Sequence, residues 1–247
     1  MTLCAIIQAR MTSTRLPGKV LSPLYGQPVL ARVIERLGRA QSIDAIAVAT
    51  TVNATDDPIA ALTAELSVPC FRGSESDVLS RYLGTARMMQ ADAVIRITAD
   101  CPLIDPAIVD LVASAFASYG ADYAANTLTR SYPIGLDTEI FTFAALDRAQ
   151  QSATRPDERE HVTPYIYRHP EFFSLHGIDA PPAHRHPNLR LTLDTPEDLQ
   201  LITAVYDALY PENPEFCLDD VLTLLGSHPD LAKINQDVPH NWIMGRP

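Results

Sequence analysis

The sequence predicts a protein of the α/β class: a single three-layer domain over residues 1–247, with a mostly parallel, mixed sheet and a small β excursion in its second half. Short apolar runs alternate with helical patterns through the first half, and the runs are almost continuously apolar. Parallel strands that are covered by helices on both faces have this composition. The second half is less regular, since 13 of the 20 prolines lie after residue 130.

Each element of the first half follows from a local pattern. Val29, Val33 and Leu37 have helical spacing, and the prolines and glycines of residues 9–26 indicate a loop before this helix. Proline directly after an aspartate marks the start of two further helices. The predicted strands are residues 3–8, 45–50, 69–72 and 93–98, and the predicted helices are residues 29–37, a helix that begins at 56, 77–90 and 105–118.

The second half is predicted to continue as strands and helices, without a linker long enough to separate a second domain. Leu189, Leu191 and Leu193 alternate with Arg190 and Thr192, which is the pattern of a strand with one face in solvent. The predicted strands are residues 137–141, 172–177 and 189–193, and the predicted helices are residues 159–168, 196–209 and 218–225.

Composition excludes several classes of protein. The formal net charge of −11 is unlike that of a general nucleic-acid or membrane-surface binder. No apolar run reaches the roughly 18 residues of a membrane-spanning helix, and the first residues lack a signal-peptide pattern, so we expect a cytoplasmic protein. The four cysteines are scattered with no CxxC pair, so buried, reduced thiols are expected rather than a zinc or redox motif.

Positive charge is concentrated at the beginning of the chain. Residues 1–40 carry six cations and one anion, a net charge of +5, whereas the other residues carry a net charge of −16. A basic segment on an acidic protein indicates a site for a small polyanion. The arginines of the first predicted helix, Arg32, Arg36 and Arg39, are expected instead on a solvated helix face.

The other cations of this segment are Arg10, Arg15 and Lys19, spaced by five and four residues in the loop after the first strand. Small residues, including Ala9 and Ser13, lie beside and between them. Such a loop can wrap phosphate groups, because backbone N–H and hydroxyl groups donate hydrogen bonds while the cations neutralise charge. The motifs GxxxxGK[ST] and GxGxxG are absent, so neither a Walker loop nor a dinucleotide-binding turn is predicted.

Two aspartates follow predicted strands at distant points of the chain. Asp100 comes after the fourth strand, and Asp194 comes directly after the last one. Ligands of open α/β sheets bind at the carboxyl edge, where the loop after the first strand also lies. Other nearby acidic residues have a structural explanation, since Asp105 precedes a helix-starting proline and Thr195 forms a capping box with Asp198.

Six stretches resemble one known family. They are IIQARMTSTRLPGKVL from Ile6, SESDVLSRY from Ser74, TADCPL from Thr98, YPIGLDTEIF from Tyr132, EREHVTPYIY from Glu158 and LDTPEDL from Leu193. The chain resembles the sugar-activating cytidylyltransferases of the spore-coat polysaccharide biosynthesis protein F type, which are related to acylneuraminate and 3-deoxy-manno-octulosonate cytidylyltransferases. The resemblance implies a Rossmann-like fold of the nucleotide-diphospho-sugar transferase type.

The resemblance also implies partners and a role for individual residues. CTP and a sugar are the implied substrates, Mg²⁺ is the implied cofactor, and a homodimer built on the segment near residues 130–142 is expected. For CTP, the implied triphosphate ligands are Arg10, Arg15 and Lys19, and the implied nucleotide-site residues are Ala9, Ser13, Ser74 and Asp77. The implied Mg²⁺ ligands are Asp100 and Asp194. The implied sugar- or partner-contacting residues are Asp137, Glu139, Arg159 and His161.

We therefore expect a cytidylyltransferase in which the hydroxyl of an acidic or modified sugar attacks the α-phosphorus of CTP and pyrophosphate leaves. The product would be a CMP-sugar for surface polysaccharide biosynthesis. Alternatives are a nucleotidyltransferase for a sugar phosphate or polyol phosphate, and a glycosyltransferase of similar fold, although no DxD motif ends the fourth strand. A catalytically degenerate nucleotide-binding protein is a further alternative, because Thr12 and Ala99 replace glycines that the family usually carries.

Overall fold

The structure, a computed structural model, describes residues 1–240. Its strands are β1 (Leu3–Gln8), β2 (Pro23–Leu24), β3 (Gln27–Pro28), β4 (Ala45–Thr51), β5 (Cys70–Gly73), β6 (Ala93–Thr98), β7 (Tyr123–Ala125), β8 (Glu139–Thr142) and β9 (Leu175–Gly177). Its helices are α1 (Val29–Leu37), α2 (Asp57–Glu65), α3 (Val78–Met88), α4 (Pro106–Tyr119), α5 (Phe143–Ser152), α6 (Pro156–His161), α7 (Pro164–Tyr167), α8 (Pro196–Leu209), α9 (Leu218–Ser227) and α10 (Pro229–Lys233).

A seven-stranded mixed sheet has the order β5-β4-β1-β6-β8-β7-β9. The first four of these strands are parallel to one another. β8 is antiparallel to β6 and to β7, and β9 is parallel to β7. β2 and β3 form a separate antiparallel pair. The predicted α/β class with a mostly parallel, mixed sheet is confirmed, and the carboxyl ends of β1, β4, β5 and β6 share one edge.

The central strand β1 shows why the parallel strands are apolar throughout. Leu3, Ala5 and Ile7 pack on one face of the sheet against α1 and α4. Cys4 and Ile6 pack on the other face against α3 and α5. Because successive side chains point to opposite faces, a strand covered on both faces has no position left for a polar residue.

A third apolar cluster lies beneath α8 and α9 and includes Leu191 and Leu193. It holds residues 189–194 against the loop that follows β6, where Leu193 N donates to Asp100 O at 2.8 Å. The packing of these two helices therefore brings a late segment of the chain to the carboxyl edge of the sheet.

The predicted strand at residues 189–193 is wrong. This segment makes one isolated parallel bridge, between Ile134 and Arg190, and belongs to neither sheet. Arg190 and Thr192 are 4% and 6% exposed, so the alternating pattern does not indicate a solvated face. Arg190 is buried because it forms ion pairs with Asp194 and Asp198.

Other expectations were wrong in part. The predicted helix at residues 159–168 is divided into α6 and α7, because Val162 between them has a φ of +72°. β7, α5 and α10 were not predicted. Arg32 and Arg36 are 5% and 2% exposed rather than solvated. Their guanidinium groups donate to backbone carbonyl oxygens, for example from Arg36 to Ile104 at 2.7 Å.

All four cysteines are free thiols. Cys4 and Cys101 are buried, as expected, whereas Cys70 and Cys217 are half-buried. Within residues 1–240, no helix combines the length and the apolar character that crossing a membrane requires. The expectation of a single domain stays a prediction.

Candidate nucleotide site

A cavity of about 300 Å³ opens at the carboxyl ends of β1 and β6. Its walls come from the end of β1 and the loop after it, the first turn of α3, the end of β6, the end of α6 and Asp194, two residues before α8. Of the predicted site residues, those that line the cavity are Ala9, Arg10, Ser13, Arg15, Lys19, Asp100, His161 and Asp194. The structure thus brings together residues from distant parts of the sequence: Asp100 follows β6, as the strand-end argument predicted, whereas Asp194 follows a segment that belongs to neither sheet.

The ammonium group of Lys19 joins three segments of the chain. Its Nζ donates to Asp100 Oδ2 at 2.7 Å, to Asp194 Oδ1 at 2.7 Å and to Leu193 O at 2.8 Å. Burial by itself would lower the pKa of Lys19, but the two carboxylates raise it above its ordinary value. Lys19 is therefore charged, and it fixes the distance between the two aspartates.

Asp194 contacts three cations. Besides the bond from Lys19, Arg190 donates to its Oδ2 at 2.8 Å, and Arg15 forms an ion pair with the same atom at 2.9 Å. Burial by itself would raise the pKa of Asp194, but Lys19, Arg15 and Arg190 lower it to about 2. Asp194 is an anion at any physiological pH, and its cluster balances the three cations against the carboxylates of Asp100, Asp194 and Asp198.

The loop between β1 and α1 has a defined conformation. Gly18 has a φ of +73°, which glycine adopts without strain. Thr12 is not among the residues of positive φ, so this backbone has no need of a glycine there. The Thr12 hydroxyl donates to Glu75 Oε1 at 2.6 Å, and Asn53 Nδ2 donates to Glu75 Oε2 at 2.6 Å. Glu75 therefore links the loops that follow β1, β4 and β5.

Ser74 and Asp77, predicted for the nucleotide site, do not line the cavity. The Ser74 hydroxyl accepts from Asp77 N at 3.1 Å. Asp77 caps α3 by accepting from Ser80 N at 3.0 Å, and its other oxygen accepts from Arg159. Arg159, predicted for the sugar, is therefore paired with Asp77 and likewise does not line the cavity.

Glu139 and Asp137 also lie away from the cavity. Glu139 is 1% exposed and pairs with Arg96 of the neighbouring strand, while Tyr123 donates to its other oxygen at 2.6 Å. Asp137 forms an ion pair with Arg130, with one of the two hydrogen bonds at 2.8 Å. Both carboxylates therefore have cationic partners among the described residues, and a role for either in binding the sugar stays a prediction.

His161 is the one predicted sugar-site residue of the four that lines the cavity. Burial lowers the pKa of His161 below its ordinary value. The ring is therefore neutral at pH 7, and a neutral imidazole can accept a proton or a hydrogen bond but attracts a carboxylate weakly.

The lining residues that were not predicted for the site are Gln8, Thr14, Val20, Val78, Arg81, Thr98, Ala99 and Glu160. Gln8 and Arg81 line the cavity, and Arg190 lies behind Asp194. Arg81 follows Asp77 by four residues in a stretch whose other members are mostly apolar, and a lone arginine on a buried helix face is a usable indication of an interior role. Gln8 ends an otherwise apolar strand, which is a similar indication.

Asp100 and Asp194 suit Mg²⁺ as a pair. Each places a carboxylate oxygen 2.7 Å from Lys19 Nζ, so the two carboxylates lie close together, with the Lys19 ammonium group at the point between them. In the described part of the chain no group of three His, Cys, Asp or Glu side chains could hold a metal. Magnesium prefers hard oxygen ligands and is commonly held by one or two carboxylates, with water and substrate phosphates completing its shell.

An open α/β sheet with a cationic loop and two carboxylates at its carboxyl edge defines a nucleotide-dependent transferase. Comparison with known proteins agrees: the chain matches the cytidylyltransferase family over residues 4–216. The spore coat polysaccharide biosynthesis protein SpsF of Bacillus subtilis is 36% identical over 232 residues, which are 92% of this chain and 95% of SpsF. The 3-deoxy-manno-octulosonate cytidylyltransferase of Anaeromyxobacter dehalogenans is 28% identical over 179 residues, 67% of this chain and 73% of that protein.

A solved structure agrees as well. A cytidylyltransferase from Leptospira borgpetersenii is 32% identical and superimposes with a TM-score of 0.90, covering 97% of this chain and 100% of that one. The chain therefore belongs to the cytidylyltransferase family, which confirms the resemblance seen in the sequence. The roles predicted for individual site residues stay predictions.

Proposed function

We propose that this cytidylyltransferase transfers CMP from CTP to a hydroxyl group of an acidic or modified sugar, with release of pyrophosphate, for surface polysaccharide biosynthesis. The observation that carries the proposal is the position of Lys19 between Asp100 and Asp194, at the rim of a cavity that Arg10 and Arg15 also line. The names of the relatives support a sugar acid and polysaccharide biosynthesis.

In this proposal the cations bind and orient the triphosphate. Arg10 and Arg15 are exposed at the cavity and can each present two N–H groups to phosphate oxygens, and Lys19 provides a point charge at the base of the loop. Asp100 and Asp194 would hold Mg²⁺, which supplies charge neutralisation at the phosphates when it is bound.

The reaction is an in-line displacement. The sugar hydroxyl oxygen forms a bond to the α-phosphorus, the bond from that phosphorus to the oxygen bridging the α- and β-phosphorus atoms breaks, and pyrophosphate leaves with the electron pair. The hydroxyl proton passes to solvent. Positioning and charge neutralisation provide most of the acceleration in such transfers, so the chain's contribution is to hold the reactants in line.

Pyrophosphate release tests the proposal. Purified protein is incubated with CTP, Mg²⁺ and a panel of 2-keto-3-deoxy and nonulosonic sugars, with sugar phosphates and polyol phosphates as a second arm. We expect release with a member of the first arm only. Release with the second arm alone would replace the sugar acid in the proposal, and CTP binding without release in either arm would indicate a degenerate nucleotide-binding protein.

The cytoplasmic location and the homodimer are also parts of this proposal. The segment expected at the dimer contact is almost entirely buried within the subunit, since Tyr132 and Leu136 are each 1% exposed. A dimer would therefore need surface from outside this segment. Light scattering coupled to size-exclusion chromatography measures the mass of the assembly.

A further inference from the structure

One wall of the cavity carries two polar side chains that the triphosphate chemistry does not use. Gln8 is the last residue of β1, and Arg81 lies one turn into α3. Both line the cavity, together with the apolar side chains of Ala9 and Val78. These four residues therefore offer one amide and one guanidinium beside apolar atoms.

Arg81 is an unusual arginine because it is buried without a carboxylate. It is 2% exposed, and in residues 1–240 no ion pair involves it. Its Nη1 donates to Ser74 O at 3.0 Å, whereas its Nε has no hydrogen-bond acceptor. Burial lowers the pKa of Arg81 below its ordinary value. Buried arginines are normally paired, so this one has donors left for a ligand.

Gln8 leaves an acceptor without a partner on the same wall. Its Oε1 is buried and accepts no hydrogen bond within the described residues. Rotation of the terminal amide dihedral is soft in glutamine, so this oxygen can turn toward a group that enters the cavity. The two side chains that carry these unpaired atoms thus line the same cavity.

The stem of Arg81 is held in place by a glycine. A Cβ added at Gly73, the last residue of β5, would lie 3.3 Å from Arg81 Cγ. The absence of a side chain at Gly73 therefore lets the arginine pack directly against the strand. This packing and the hydrogen bond to Ser74 O hold the Arg81 side chain in a defined position. A side chain that discriminates between ligands needs such a position.

We infer that Gln8 and Arg81 read the pyrimidine edge of the bound nucleotide and select cytosine over uracil. The inference rests on the proposed function only in requiring a nucleoside triphosphate in this cavity. Cytosine offers two acceptors, O2 and N3, and one donor, the N4 amino group. A guanidinium only donates, so it matches O2 and N3, and the amide oxygen of Gln8 matches N4.

Uracil is disfavoured at the same positions. Its N3–H would face the donors of Arg81, and its O4 would face the amide oxygen of Gln8. The amide can rotate by half a turn and present its NH₂ group instead, whereas the guanidinium has no acceptor to offer. Arg81 therefore contributes more of the discrimination than Gln8.

Calorimetric titration with nucleotides alone tests this without knowledge of the sugar. The probes are CTP, UTP and the triphosphate of pyrimidin-2-one riboside, which lacks the N4 amino group. The variants are Gln8→Ala and Arg81→Met. The controls are Gln151→Ala on the exposed face of α5 and Arg87→Met, an exposed arginine of the same helix as Arg81.

We expect the wild type to bind CTP at least about tenfold more tightly than UTP, and Arg81→Met to lose most of this preference. Loss of the N4 amino group should weaken binding to the wild type by about threefold to tenfold. The same loss should not weaken binding to Gln8→Ala. The two controls should keep the wild-type ratio of CTP to UTP affinity.

Circular dichroism and thermal unfolding show whether Arg81→Met is folded. If it is not, the analogue series on the wild type and on Gln8→Ala still decides the matter. A wild type that prefers CTP, together with folded variants that keep its preference, would overturn this inference and leave the proposed function standing. A wild type that binds CTP and UTP equally would also overturn this inference and leave the proposed function standing. A wild type that binds neither nucleotide would overturn both this inference and the proposed function.

Discussion

Lys19 has a different environment from the other cations of its loop. Its side chain is 10% exposed and contacts two carboxylates, whereas the Arg15 side chain is 39% exposed and contacts one. Removing one partner from a buried ion cluster leaves uncompensated charge in a poorly solvated place. The same substitution at an exposed cation has little effect on folding. Substitutions at Arg15 and Lys19 should therefore distinguish an effect on CTP binding from an effect on the free energy of unfolding.

Arg15→Ala should weaken CTP affinity by about tenfold, the usual loss of a charge-assisted contact, and change the free energy of unfolding by less than about 1 kcal/mol. Lys19→Ala should weaken CTP affinity at least as much and also lower the free energy of unfolding by about 3 kcal/mol. Calorimetry with CTP and urea denaturation measure the two effects. Equal stability losses for both variants would contradict the assignment of Lys19 to a buried cluster.

Asp194 makes stability depend on pH in the acid range. Its pKa is lowered to about 2, against about 3.9 in an unfolded chain. A lowered pKa contributes stability above the unfolded value, and this contribution is lost as the pH falls through the folded value. In metal-free buffer, the wild type should lose about 1 kcal/mol more than Asp194→Asn between pH 6 and pH 3. Parallel losses in urea denaturation at the two pH values would show that the ion cluster contributes no pH dependence.

At the scale of single residues, sequence reasoning found the groups that stand out by charge or by their place at strand ends. Asp100 and Asp194 were placed at one edge because parallel strands end together; this reason holds for Asp100, whereas the packing of α8 and α9 brings Asp194 there. Gln8 and Arg81 were not predicted, because the sequence does not show whether a polar side chain on a buried face binds another part of the protein or a ligand.

At the scale of elements, the segment at residues 189–193 shows the limit of periodicity. Its alternation of leucine with polar residues is real, but Arg190 is buried in ion pairs and the buried Thr192 hydroxyl donates to Asp100 O at 3.1 Å. A two-residue period indicates that alternate side chains lie in two different environments, but it does not indicate that either environment is water. The continuous apolar runs of β1 and β6 were identified correctly because burial on both faces leaves one interpretation. β7 was missed because three residues carry too short a pattern.

Gly135 sets the position of this same segment. Its φ is +105°, and an added Cβ would lie 2.6 Å from the carbonyl carbon of Leu191. Gly135→Ala should therefore displace residues 189–194, lower the free energy of unfolding by about 3 kcal/mol and reduce pyrophosphate release.

Gly120→Ala is the matched control, since Gly120 has a φ of +57° with nothing within 4 Å of an added Cβ. It should cost only about 1 kcal/mol and leave turnover unchanged. If the two alanine variants behave alike in chemical denaturation, backbone strain rather than close approach governs Gly135.

At the scale of the whole molecule, the last described segment is tied to the site. Asn235 is 2% exposed, and its Nδ2 donates to Asp198 Oδ1 at 2.8 Å and to Arg190 O at 3.1 Å. Arg190 in turn donates to Asp194. A residue beyond the 4–216 span of the family match therefore supports a carboxylate of the candidate site.

Asn235→Ala should lower the free energy of unfolding by about 1–2 kcal/mol, because it leaves buried acceptors with fewer donors. It should also lower kcat more than it raises the KM for CTP, since the triphosphate cations themselves are untouched. Steady-state kinetics and urea denaturation measure both effects. Asn213→Ala, in an exposed turn, is the control. If Asn235→Ala has the same kcat as Asn213→Ala, Asn235 does not support the carboxylate of the candidate site.

The loop between residues 10 and 19 has two ends of different character. Its Lys19 end is shut off from counterions, whereas its Arg10 and Thr12 end lies open to them. Salt screens exposed charges within a Debye length of about 8 Å at physiological ionic strength and reaches buried ones far less. Rising salt should therefore slow the association of a polyanionic ligand with the exposed end of the loop. The buried ion pairs of Lys19 should stay intact at these salt concentrations.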